Sequence, residues 1–258
     1  MFSRLNWTLS EQFGLSPRKF LHGVLQTPWY VKSLVQFWLE NKGSIEIMPC
    51  LHDRHEASGS ANSEYFWQDL FVAQRVFDAS PKAHLDVGSR IDGFVAHIAS
   101  YRVVEVVDIR PNPHEIPNVK FTCMDLMATH VEICERFDSI SCLHALEHFG
   151  LGRYGDALDP NGWKKGLKNI AQLLSPGGAL YLSIPAGKPR VVFNAHRVFL
   201  IDELIEEMVH TGLNLRHLHY IEPGKPGVKG GDIILSREKI RNSQYTLAIL
   251  VATKDTIV

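Results

Sequence analysis

Residues 81–108, PKAHLDVGSRIDGFVAHIASYRVVEVVD, constrain the fold more than any other part of this chain. Residues 83–87 read as a short buried strand running into the glycine turn Gly88-Ser89-Arg90-Ile91-Asp92-Gly93. A helical stretch over 94–100 follows, then a valine-rich second strand over 103–107 that ends on Asp108. Strand, glycine turn, helix, strand, acid is the opening of a doubly wound sheet. Gly88 lets the backbone turn with no side chain between it and a ligand. The exposed N–H groups where the next helix begins favour an acidic or electron-rich group. Asp108 stands 20 residues after Gly88, where a carboxylate at a strand end accepts both ribose hydroxyls of a nucleoside.

That arrangement fits NAD and S-adenosylmethionine alike, while a ligand-free reading leaves the glycines with turn duties and Asp108 as a strand terminus. Asp86 tilts the choice. It lies under the turn, where it either fixes the loop or meets the ammonium of a bound amino acid, and it would repel a pyrophosphate. Asp125 follows directly on a third strand over 119–124. There it can accept from the exocyclic amine of adenine while Met124 or Leu126 lies on the ring. Capping of a following helix is the plainer role for Asp125.

Composition sets the remaining bounds. The chain has 258 residues, 45% of them apolar, enough for one core with a cap. Its 27 basic and 28 acidic residues leave a formal charge of −1, which argues against wholesale nucleic-acid binding. Cys50, Cys123, Cys134 and Cys142 show no CxxC spacing and read as reduced thiols of a cytoplasmic protein. No apolar run reaches the length of a spanning helix, and the N-terminus lacks a signal-peptide core. Cys50, His52, His55 and Glu56 invite zinc, but no second cluster completes the ligand set, so no metal is expected.

Residues 1–62 read as a helical cap and a charged loop, with a helix over 30–40 that has Pro28 at an early position. A helix over 65–77 is expected to press Phe66, Leu70, Ala73 and Phe77 onto the sheet. A fourth strand, 137–143, leads into His144-Ala145-Leu146-Glu147-His148, and ligands of such sheets bind beyond the carboxyl ends of the strands. The charged, glycine-rich loop over 151–162 suits a lid or an acceptor-binding loop. A helix over 163–174 places Trp163, Leu167, Ile170 and Leu174 on one face and ends at Ser175-Pro176-Gly177-Gly178. Strand 179–184, a segment carrying Asn194, His196 and Arg197, helix 201–210, strand 213–220, a polar loop over 221–242 and strand 245–251 complete the chain. Seven strands with a long final hairpin argue against the standard dinucleotide domain.

The order of these parts resembles the class I S-adenosylmethionine-dependent methyltransferases. Leu85-Asp86-Val87-Gly88-Ser89 is similar to their first motif, Asp108 to the ribose acid, Asp125-Leu126 to the adenine position, and Leu174-Ser175-Pro176-Gly177-Gly178-Ala179-Leu180 to the turn before their fifth strand. The likeness covers residues 63–253. CLHDRHEASG, LDVGSRIDGF, EHFGLGRYGDALDPNGW and FNAHRVF further resemble a bacterial group of methyltransferase-like proteins described as a domain of unknown function, some of them linked to polysaccharide or sugar metabolism. The resemblance implies an α/β fold: a seven-stranded Rossmann-like methyltransferase sheet over 63–258, mostly parallel with an antiparallel C-terminal strand, plus the N-terminal helical cap.

It also implies S-adenosyl-L-methionine as cofactor. Donor contacts then fall to Asp86, Gly88, Ser89, Arg90 and Gly93 around the turn, to Asp108 and Ile109 after the second strand, to Asp125 and Leu126 after the third, and to Cys142 on the fourth. The implied acceptor is a small molecule, with a hydroxyl or amine of a sugar or polysaccharide precursor as one class, and a homodimer is an open expectation. For a hydroxyl acceptor a base is needed. His148, His144 and His196 are the candidates, with Glu147 to orient one of them, and Arg153, Arg190 and Arg197 are candidates for holding an anionic acceptor. One departure stands out: Arg90 and Asp92 occupy the second and third glycine positions of D-x-G-x-G-x-G, and Gly93 is displaced by one. Either the turn closes differently around the methionine moiety or donor binding is weakened. That keeps a non-catalytic S-adenosylmethionine-binding or scaffolding module as the alternative.

Overall fold

A computed structural model describes residues 8–55, 61–128 and 135–255, which fall into two compact units divided after Ser60. Glu56 and Cys134 lie outside the described residues. In the first unit, helix α1 (Pro17–Glu40) starts where the Ser16 hydroxyl accepts from the Lys19 N–H, with Pro17 in its first turn. The helix runs through Pro28 instead of starting beside it. Pro28 has no N–H to donate to the turn before it, and the Thr27 hydroxyl bonds the Gly23 carbonyl at 2.9 Å in that same turn. His52 meets His22 at 3.1 Å and Arg54 lies over Trp29, which ties the following loop to the helix. Among the described residues no group of three or more His, Cys, Asp or Glu converges to hold a metal, and no helix is long and apolar enough to cross a membrane.

The second unit is built on one eight-stranded sheet. Its strands are β1 (His84–Val87), β2 (Val104–Asp108), β3 (Val119–Cys123), β4 (Phe137–Leu143), β5 (Leu174–Ala186), β8 (Leu213–Ile221), β9 (Lys229–Gly231) and β10 (Thr246–Lys254). The order is β3-β2-β1-β4-β5-β10-β8-β9. β3, β2, β1, β4 and β5 are parallel, and β10 inserts antiparallel between β5 and β8. β6 (Arg190–Val192) and β7 (His196–Val198) form a separate hairpin. Strand order reverses outward from β1, with β2 on one side and β4 on the other, so the sheet's crevice opens at the tips of these strands.

Both faces of the sheet are covered, which is why the central strands read as apolar runs. Along β10, Ala248, Leu250 and Ala252 join one core, and Leu247 and Ile249 join the other. The first core takes helices α4 (Gly162–Leu173) and α5 (Ile201–His210), and the expected stripe Trp163, Leu167, Ile170 and Leu174 is buried as a unit. The second takes α2 (Glu64–Ala79) and the wide turn Ile91–Val95 that leads into the short helix α3 (Ala96–Ala99).

Three sequence expectations change here. On α2 the buried face is Gln68, Asp69, Val72, Ala73 and Val76, while Phe66, Leu70 and Phe77 are exposed. The polar pair goes inward because it has partners: Gln68 donates to Asp69 at 2.8 Å and accepts from the Ser183 hydroxyl. The turn expected at 175–178 is a bulge within β5, with the register shifting opposite Phe137/Ser139 and Gly177 at φ 76°. The eighth strand, β9, and a helix, α6 (Ile233–Arg241), lie inside the expected polar loop. β9 pairs at the sheet edge through two glycines at positive φ, and α6 buries only Ser236 and Ile240, so neither leaves an apolar period in the sequence.

Helix α4 presses Gly166 against the loop after β4. A Cβ built there would stand 2.4 Å from Phe149 Cδ2. An interior helical Gly→Ala change usually stabilises by about 1 kcal/mol, whereas overpacking costs about 1–3 kcal/mol. Gly166→Ala is therefore expected to lower the urea midpoint of the full chain. A midpoint equal to or above wild type would refute this contact.

Candidate functional site

The turn after β1 is held from below. Asp86 has no exposed surface; it accepts from the Ser89 N–H at 3.1 Å, the Ser89 hydroxyl at 2.7 Å and the Ser141 hydroxyl at 2.6 Å. The parallel register sets Asp86 beside Ser141 and His84 beside Ser139. Since the Ser141 hydroxyl gives its proton to Asp86, it accepts from His84 Nε2, and His84 Nδ1 accepts from the Ser139 hydroxyl. One ring proton suffices for this chain of bonds, in keeping with burial holding the His84 pKa down at about 3. Burial pushes Asp86 the other way, up to about 6, against the three bonds it accepts. Gly88 turns at φ 69°, where a Cβ would meet the Ala145 methyl at 2.9 Å. Gly93 lacks a Cβ because the Asp69 carboxylate occupies that space, 2.7 Å from where it would be.

Beyond this turn lies a pocket of about 360 Å³ at the carboxyl ends of β1, β2, β3 and β4. Its floor includes Val87, Gly88 and Leu143. Asp108 and Ile109 line one wall, and Met124, Asp125 and Leu126 line the next. Asp108 is engaged by Arg110, whose backbone N–H and Nε reach one carboxylate oxygen at 2.8 and 2.9 Å and whose Nη2 reaches the other at 2.6 Å. The Arg110 guanidinium also lies over the Tyr154 ring, 4.3 Å from its centre. Asp125 accepts from the Met127 N–H at 2.8 Å. The helix expected after Asp125 falls largely on 129–134, outside the described residues. Arg90 pairs with Asp92 at 2.7 Å, both side chains mostly in solvent, so the two residues at the replaced glycine positions bond each other.

The opposite wall carries the titratable groups. His144 sits at φ 53° on the first residue after β4, its Nδ1 donating to Glu147 at 2.7 Å and its Nε2 3.4 Å from Glu64 without hydrogen-bond alignment. Tyr65 stacks on its ring at 4.5 Å, and Tyr245 donates to Glu64 at 2.7 Å. Burial pulls the His144 pKa down, but Glu147 and Glu64 outweigh it and raise it to about 9. Glu147, fully buried, is held ionised against its own burial by His144; its second oxygen has no hydrogen-bond partner among the described residues. His148 is tuned the other way. Burial lowers its pKa, Nδ1 donates to the Ala195 carbonyl at 2.7 Å, and Nε2 is left as the basic nitrogen, 3.7 Å from Glu147.

A family model described as "Caenorhabditis protein of unknown function, DUF268" matches residues 103–248, more than half of the sequence. The chain belongs to this family. No curated protein matches the DUF268 chain. Among solved structures it is similar to the 1,6-didemethyltoxoflavin-N1-methyltransferase of Burkholderia thailandensis, solved with 1,6-didemethyltoxoflavin and S-adenosylhomocysteine: TM-score 0.52 and 18% identity, covering 78% of this chain and 93% of that one. A S-adenosylmethionine-dependent methyltransferase from Clostridium acetobutylicum ATCC 824 matches with TM-score 0.50 and 11% identity over 76% and 94% of the two chains. Likeness at these identities is likeness of fold: the DUF268 chain has the class I methyltransferase fold. The group expected from the sequence strings is bacterial, whereas the matching description names Caenorhabditis.

Of the residues singled out in the sequence, Gly88, Arg90, Asp108, Ile109, Met124, Asp125, Leu126, His144, His148 and Arg153 line the pocket of the DUF268 chain. Asp86, Ser89, Gly93, Cys142 and Glu147 lie behind that lining, and His196 is half-buried beside Tyr245. Arg197 is buried and donates to the carbonyls of Glu147, Phe149, Asp159 and Pro160, which makes it a tie for the loop. Tyr65, Arg110, Tyr154 and Glu64 were missed. Only Arg110 left a signal, a basic residue two positions after the strand-end acid.

The His144 pair predicts a pH dependence. Its folded pKa, about 9, lies above the 6.5 of a free histidine, so its contribution to stability is complete below pH 6.5 and disappears as pH rises through about 9. His84, His148 and His219 have lowered values and titrate on the acidic side of this window. Urea midpoints of the wild type should fall between pH 6.5 and 9, and His144→Gln should flatten that slope. A slope unchanged by the substitution would show that His144 is not the titrating group.

Proposed function

We propose that the DUF268 chain is an S-adenosylmethionine-dependent methyltransferase that acts on a hydroxyl or amine of a small molecule, with a sugar or polysaccharide precursor as the acceptor class. The observation that carries this reading is one pocket at the strand tips that joins carboxylates at both nucleoside positions, Asp108 and Asp125, to a neutral His148. All pocket residues fall within 63–258, which we take as the catalytic unit. The free thiols Cys50, Cys123 and Cys142 support a cytoplasmic setting.

The residues fit the donor. Gly88 lines the pocket at the turn, Met124 and Leu126 offer an apolar seat for adenine, and Asp125 has one carboxylate oxygen beyond the one that Met127 engages. Asp108 would share or exchange its bond with Arg110 for the ribose hydroxyls, Arg110 keeping its stack on Tyr154. When bound, the sulfonium supplies an already activated methyl group. What remains for the protein is to align an acceptor lone pair, exclude water and take a proton. His148 takes it at Nε2, and the Glu147 carboxylate, whose Oε1 lies 3.7 Å away, stabilises the imidazolium that results. The Ala195 carbonyl fixes the tautomer through Nδ1. The Arg110–Asp108 pair also favours a second reading, a binding module in which donor entry is suppressed.

Calorimetric titration with S-adenosylmethionine, S-adenosylhomocysteine and NAD tests the cofactor. The first two should bind and NAD should not; binding of none by the folded chain would favour the second reading. Asp108→Asn should weaken S-adenosylhomocysteine by roughly 10- to 100-fold, the worth of a charged hydrogen bond pair. Equal affinity would remove Asp108 from the donor site. In a screen of sugar and amine acceptors, His148→Ala should lower kcat by about 10²–10⁴-fold with donor affinity kept. A change confined to acceptor KM would deny it the role of base.

A further inference from the structure

Most of the charged groups around the pocket already have partners among the described residues. Arg90 is paired with Asp92, Arg110 with Asp108, and Asp159 with Lys165 at 2.7 Å. Asp156, the carboxylate of the pocket loop, is used up on the backbone N–H groups of Gly150, Gly152 and Tyr154 at 2.8, 3.1 and 3.2 Å. Glu147 and Glu64 both serve His144. Arg153, which lines the pocket, has no carboxylate partner among the described residues; one guanidinium nitrogen donates to the Ala195 carbonyl at 2.9 Å and the group lies over Tyr154.

The β6–β7 hairpin carries a second arginine, Arg190, with no carboxylate partner among the described residues. Val192 pairs with His196 and Arg190 with Val198, so Arg190, Val192 and His196 share one face of the hairpin. Among the described residues Arg190 donates only to the carbonyls of Lys188 and Gln244, at 2.9 and 2.8 Å. The hairpin's Ala195 carbonyl receives both His148 and Arg153, which joins the hairpin to the pocket wall. After burial and against the pull of Glu147, the charges of Arg190, His144 and Arg153 depress the His196 pKa, as a concentration of positive charge at one edge would.

From this placement we infer that Arg153 and Arg190, with His196, bind an oxyanion, a carboxylate or phosphate group carried by the acceptor. This deepens the methyltransferase reading and rests on it for the word acceptor; the anion site itself stands on the unpaired arginines. An anionic group here would fill the bonds that both guanidiniums lack and hold the rest of the acceptor against His148.

The test follows the histidine Cε1–H signals of the full chain in NMR during titration with inorganic phosphate, with acetate in a second arm and chloride holding ionic strength constant. His148 and His196 should shift saturably with phosphate, acetate or both, and the tighter arm names the source. Arg153→Gln should weaken that binding by roughly tenfold, and Arg190→Gln, which leaves the Ala195 contact intact, by a smaller factor. Linear, unsaturated shifts in both arms, or affinities unchanged in both variants, would overturn the inference. S-adenosylhomocysteine affinity, measured on the same proteins, should not change. If the donor fails to bind while the arginine-dependent anion site persists, the methyltransferase reading falls and the site stands; if the donor binds and neither anion does, the inference falls alone.

Discussion

The buried carboxylate of Asp86 is the constraint on which the rest of the pocket depends. Moving an ionised carboxylate out of water costs several kcal/mol, and each hydrogen bond to a charged group returns about 1.5–3 kcal/mol. Three such bonds are needed to make the position tolerable, and they come from Ser89 in the turn and Ser141 on the neighbouring strand. Satisfying Asp86 therefore fixes both the shape of the turn and the register of β1 against β4. Gly88, Leu143 and His144, which line the pocket, sit on or directly after those two elements.

On the other wall one glutamate sets two histidines to different tasks. Glu147 bonds His144 directly and keeps it cationic, while its longer approach to His148 does not overcome burial. Two imidazoles four residues apart thus hold different charges at neutral pH, an arrangement suited to a site that needs a fixed cation and a free base. The loop from Gly150 to Asp159 is stiffened by its own carboxylate, by Arg197 and by a glycine at Gly150 whose Cβ would strike the Asp159 carbonyl. This wall of the pocket is consequently preformed.

The fold is shared with methyltransferases, and the departures from them are concentrated at charged residues. Arg90 and Asp92 stand at glycine positions of the motif and neutralise each other in solvent. Arg110 bonds both carboxylate oxygens of Asp108 at the end of β2.

The sequence by itself determined the doubly wound core: β1 to β5, the helix over Gly162–Leu173 and the acids Asp108 and Asp125 are legible because each is a local pattern of burial or a residue at a fixed distance from a glycine turn. It left β9 and α6 hidden, because their pairing rests on backbone and a few small side chains, and it misread the face of α2, because Gln68 and Asp69 become good interior residues only when Ser183 meets them. Glu64 and Tyr245 are 181 residues apart and meet only in the folded chain. The charge states of His144 and His148 were equally closed to the sequence. A pKa depends on burial and on which carboxylate lies within a few ångströms, and that is decided by tertiary structure alone.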